Sequence, residues 1–135
     1  RRPKIRGQGI RVILLGGDNI MDEVINQILI GCPNLEDFML SCSHLKFPKI
    51  QSDRLKMLQF CNMPLDGDIL TNIVNACPKL TSLSLCDCVF SKQPFIQGQS
   101  LSTLHSCNTN IADEVVQAAQ QNCPTLKDIR VSFFV

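Results

Sequence analysis

The chain has 135 residues, about one domain, and its 44% hydrophobic and 19% charged side chains exclude a disordered segment and suffice for a buried core. The longest unbroken apolar run, 12–15, falls far short of the roughly 20 residues a membrane helix needs, so no membrane partner is expected. Net charge is +1, yet Arg1, Arg2, Lys4, Arg6 and Arg11 all precede the first acid, Asp18; without them the body is near −4, which argues against nucleic acid as a partner.

Residues 1–9 read as a basic lead-in, a solvated approach rather than a nucleic-acid arm or nuclear address. The chain starts at Arg1 without an apolar signal region, so the expectation is an intracellular protein, cytoplasmic or nuclear, and a fragment of something larger. From 10 onward the chain repeats itself. Cys32-Pro33, Cys77-Pro78 and Cys123-Pro124 lie 45 and 46 residues apart, each with a leucine two positions after the proline. Ahead of them, segments starting at Ile20, Leu65 and Ile111 align without gaps.

Each 45–46-residue unit holds two frames of the form L-x-x-L-x-L, and the six frames start at 10, 35, 55, 80, 101 and 126. Period-two alternation makes each frame a strand with its fourth and sixth residues buried. After the first, third and fifth frames the chain turns acidic and then apolar at helical spacing, and stops at Cys-Pro. The spacing predicts helices near 22–31, 67–76 and 113–122, because proline disfavours helical geometry in the residue before it. The shorter returns share Pro48-Lys49-Ile50-Gln51 and Pro94-Phe95-Ile96-Gln97, an extended pattern, so no helix is expected across 43–53 or 89–99. The fold class that follows is α/β: a right-handed leucine-rich-repeat solenoid over 10–135, with a parallel sheet on its concave face and helices alternating with loops on its convex face.

The string from Cys77 to Cys88, with Ile20-Met21-Asp22-Glu23 and Ile111-Ala112-Asp113-Glu114, resembles the cysteine-containing leucine-rich repeats of F-box proteins. The resemblance runs from about Ile10 to Val131. It departs at the cysteine that follows each frame: only Cys88 stands in the usual place, whereas Cys42, Cys61 and Cys107 fall one or two positions early, and no F-box is present. The resemblance implies a curved parallel sheet and the recruitment of substrates for a ubiquitin ligase. The short returns, with 42–48, also look like repeats of plant immune receptors, which implies a scaffold or sensor without a ligase link.

Catalytic chemistry finds no support, and an enzyme is not expected. Gly7-x-Gly9 and Gly16-Gly17-Asp18 flank a strand but lack the G-x-G-x-x-G of a dinucleotide site. His44 and His105 sit in no cysteine-protease signature. Stacked frames place Gly16, Ser41, Cys61, Cys86, Cys107 and Ser132 in one column, and three thiols near His105 suggest zinc, but a straight ladder does not converge on a tetrahedron, so no metal and no cofactor are expected. Repeat-locked thiols in a reducing compartment should stay free.

What remains is a binding face. The third and fifth frame residues give the columns Val12, Asp37, Met57, Ser82, Thr103, Asp128 and Leu14, Met39, Gln59, Ser84, His105, Arg130. The candidate binding residues are Asp37, Met39, Met57, Gln59, Ser82, Ser84, Thr103, His105, Asp128 and Arg130. This mixture of methionine and neutral polar groups suits another protein or a peptide, possessed directly or through a ligase complex of a parent chain. A small molecule over Met39, Met57 and Gln59 is a third reading.

Overall fold

A computed structural model describes residues 7–45 and 48–133. Arg1, Arg2, Lys4 and Arg6 of the basic lead-in therefore lie outside the described residues, as do Lys46, Phe47, Phe134 and Val135.

Six short strands, β1 (Val12–Gly16), β2 (Asp37–Ser41), β3 (Met57–Cys61), β5 (Ser82–Cys86), β7 (Thr103–Cys107) and β8 (Asp128–Ser132), pair in parallel in the order β1-β2-β3-β5-β7-β8. Each begins on the third residue of a leucine frame. Alternation explains which side is covered: Phe38, Leu40, Leu58, Phe60, Leu83, Leu85 and Leu104 are buried, while the residues between them are partly or fully open. The start of each strand is tied to its neighbour by one carbonyl that accepts two N–H groups. The Arg11 carbonyl takes Glu36 and Asp37, that of Glu36 takes Lys56 and Met57, and the pattern continues through Lys56, Thr81 and Ser102. These paired bonds fix the register, and with it the columns of the open face.

Three helices, α1 (Asp22–Gly31), α2 (Gly67–Asn75) and α3 (Asp113–Asn122), cover the other side. Acids occupy the first turn of each, complementing the helix dipole. The Asp66 carboxylate caps α2 by accepting from the Asp68 and Ile69 N–H groups at 2.8 and 3.3 Å. Leu70, Ile73 and Val74 of α2, with Ile25 and Ile28 of α1, join the strand residues in one hydrophobic core. None of the helices among the described residues is long and apolar enough to cross a membrane.

The structure corrects the expected leucine-rich-repeat solenoid. Two further strands, β4 (Pro64–Asp66) and β6 (Val89–Lys92), pair in parallel as a second sheet, so the molecule is a small α/β fold of six plus two mostly parallel strands and three helices. The stretch read as a looped return thus contains a paired strand. Val89 and Phe90 favour extended backbone, and Leu65 and Phe90 bury side by side. Among the described residues this outer sheet forms once, so the returns are not equivalent, and the strict repetition on which the solenoid reading rested is lost.

The second sheet ends on side chains that imitate a strand. The Asn110 amide accepts from the Phe90 N–H at 2.6 Å and donates to the Phe90 carbonyl at 2.9 Å. The Gln93 amide does the same for the next segment, donating to the Asn110 carbonyl and accepting from the Ala112 N–H, both at 2.8 Å. Gly67 sits where α2 meets this edge, and a Cβ there would collide with the backbone of Lys92 and Gln93.

Candidate functional site

All ten candidate residues come together on the open face of the six-stranded sheet. The register runs Val12, Asp37, Met57, Ser82, Thr103, Asp128 in one column and Leu14, Met39, Gln59, Ser84, His105, Arg130 in the other. At the β1–β3 end the face is apolar: Val12 is 57% exposed, Leu14 69% and Met57 47%, with Met39 half-buried beside them. These side chains, with Asp37, Gln59, Ser82 and Ser84, line a shallow depression of about 120 Å³. No hydrogen bond or ion pair among the described residues engages the Asp37 carboxylate.

The middle of the face is neutral and polar, and the β7–β8 end is charged. The Asp128 carboxylate lies 3.3 Å from His105 Nε2 and accepts from Arg130 Nε at 3.2 Å. Desolvation pushes the Asp128 carboxyl up, but the bond with His105 and the Arg130 charge outweigh it and hold it below the usual range. Arg130 remains 75% exposed, with both terminal amino groups uncommitted among the described residues.

A charged rim that the sequence columns did not include borders the apolar end. Glu36 bridges Arg11 at 2.8 Å and Lys56 at 3.1 Å across three strands, and Lys56, then Arg11, hold its carboxyl below the ordinary value. The available signal was the opposite charges at the second position of consecutive frames.

The cysteines divide by burial. Cys32, Cys42, Cys77, Cys88 and Cys123 are buried, and the thiols of the last four donate to a carbonyl 27 or 28 residues upstream: Leu15, Ile50, Phe60 and Ile96 at 3.6, 3.8, 3.4 and 3.7 Å. Cys42 thus performs the task of Cys88 although it falls earlier after its frame. Burial pushes the Cys77 thiol up to about 11. Cys61, Cys86 and Cys107 form the column expected from the frames, in register on adjacent strands and half-buried. Desolvation, the Asp87 charge and Cys107 raise the Cys86 thiol to about 11. All eight cysteines are free, and no group of three or more His, Cys, Asp or Glu side chains among the described residues is placed to hold a metal ion.

Behind that column the chain turns through left-handed backbone at Asn62, Asp87 and Asn108, with φ of 54°, 52° and 54°. Their N–H groups donate to the carbonyls of Cys86, Cys107 and Ser132 at 2.8, 2.9 and 2.7 Å, which locks the exit of each strand to the next. Asparagine and aspartate tolerate this geometry better than other non-glycine residues, so an Asn or Asp after each cysteine was a legible mark. Comparisons of the chain with family models, curated proteins and solved structures found no match.

Proposed function

We propose that the chain is a protein-interaction module whose partner seats on the open face of the six-stranded sheet, within an intracellular protein. The observation that carries this reading is the exposure of Val12, Leu14 and Met57, grouped with Met39 around Asp37 on three adjacent strands of a register-locked sheet. Soluble proteins rarely expose such areas without a binding role, and methionine and arginine are enriched where proteins meet. The partner's role as a ubiquitin-ligase substrate is supported only by the cysteine-and-leucine strings of the sequence. A scaffold or sensor without ligase association is the alternative on the same face. The depression over Met39, Met57 and Gln59 favours a small apolar ligand as a second reading.

A photo-crosslinking side chain placed at 57 tests the binding role, with one at the exposed helical position 30 as control. The proposal expects a protein adduct from 57 and none from 30. The ligase association further expects the captured protein to live longer when the proteasome is inhibited, and a short chemical metabolite in place of a protein would favour the ligand reading.

A further inference from the structure

The open face is polarised from end to end, and the polarity specifies more than a generic partner. At one end the Asp37 carboxylate has no ion pair among the described residues and stands amid exposed apolar side chains, in column with Val12 and Met57 and beside Met39. At the other end one carboxylate, Asp128, serves both His105 and Arg130, and Arg130 keeps its terminal amino groups for a further acceptor. A planar guanidinium is suited to a carboxylate in that position. Four strand spacings separate Asp37 on β2 from Arg130 on β8, about 20 Å at roughly 4.8 Å per spacing. An extended chain rises about 3.3 Å per residue, so that distance is about six residues.

Between the two ends lie Gln59, Ser82, Ser84, Thr103 and His105, all partly exposed. A bound helix would satisfy its own backbone and present apolar side chains, for which this stretch offers little. An extended segment carries free N–H and C=O groups, and hydroxyl and amide side chains can pair with them.

We infer that the partner is an extended segment bearing a cation flanked by apolar side chains over Asp37, Leu14, Met39 and Met57, and an acidic group about six residues away on Arg130. This rests on the sheet-face reading above and adds the partner's chemistry to it.

The test uses the 135-residue chain as selector for displayed random twelve-residue peptides, with Met57→Asp and Leu14→Asp chains of unchanged circular dichroism as counter-selectors. The expected pool pairs Lys or Arg, next to Leu, Phe or Met, with Asp or Glu five to seven residues away. A synthetic peptide of that pattern should bind about tenfold more weakly to Asp37→Lys or to Arg130→Glu, and the double variant should prefer the charge-swapped peptide. Selected peptides that need Leu14 and Met57 but show no charge order would overturn the inference and leave the binding face standing. Selection of no peptide dependent on either residue, or a dimer of the chain that Met57→Asp abolishes, would overturn both.

Discussion

The buried hydroxyl pair Ser106–Thr109 gives a sharp test of how the fold tolerates polarity in its core. Ser106 occupies the sixth frame position, where Leu40, Phe60 and Leu85 stand in other strands, and it is 2% exposed. Its Oγ lies 2.5 Å from Thr109 Oγ1, which also accepts from the Ile111 N–H at 3.2 Å. Removing the serine hydroxyl by Ser106→Ala leaves Thr109 with its Ile111 bond and should cost about 1 kcal/mol. Thr109→Val strands two buried groups, the Ser106 hydroxyl and the Ile111 N–H, at about 1–3 kcal/mol each, for a total of roughly 2–6 kcal/mol. The double variant strands only the Ile111 N–H. It should therefore be about 1–2 kcal/mol more stable than Thr109→Val alone, an unusual case of a second deletion restoring stability. Urea unfolding followed by far-ultraviolet circular dichroism measures all three. A double variant as unstable as the sum of its parts would refute the pairing.

Asn110→Ala removes both strand-mimicking bonds to Phe90 and should lower stability by about 2 kcal/mol, whereas a loss below a few tenths in the same urea assay would show that the edge of β6 is satisfied otherwise. Asn62→Ala should cost about 1 kcal/mol through left-handed strain while Asn62→Gly is close to neutral, an order that thermal melts can reverse. The raised Cys77 thiol contributes stability through its neutral form: that contribution is complete below the unfolded value near 8.5 and is lost as pH rises through about 11. Unfolding free energy should therefore fall across that window by about 3 kcal/mol more in wild type than in Cys77→Ala, whose other raised thiols still contribute, and equal slopes would contradict it. Cys86, half-buried yet raised to about 11, should alkylate at pH 8 about a hundredfold more slowly than an ordinary thiol, as mass spectrometry of iodoacetamide-treated protein would show.

Much of the strand layer was legible because a period of two over six frames leaves one choice of buried face, and each strand starts on the third frame residue. The helices lie at 22–31, 67–75 and 113–122, since acidic starts and Cys-Pro stops are local signals. The ten candidate residues share a face for the same reason: register follows from the frames. The second sheet was not legible. β4 and β6 are three and four residues long, and their pairing depends on neighbours 25 residues away and on the side chains of Gln93 and Asn110. The solenoid reading failed at that point, where an outer return became a paired strand. The Glu36 bridge and the Ser106–Thr109 pair were also missed, because each joins residues that only folding brings into contact.

The most direct measurement of the central claim is the affinity of a crosslink-captured partner for chains altered on opposite surfaces. Leu14→Asp and Met57→Asp place a charge in the apolar end of the open face, and Ile30→Asp and Val89→Asp do so at exposed apolar positions elsewhere. A partner seated on the sheet predicts losses of about tenfold to a hundredfold for the first pair and less than twofold for the second. Equal affinity across all four chains, or losses confined to Ile30→Asp and Val89→Asp, would contradict it.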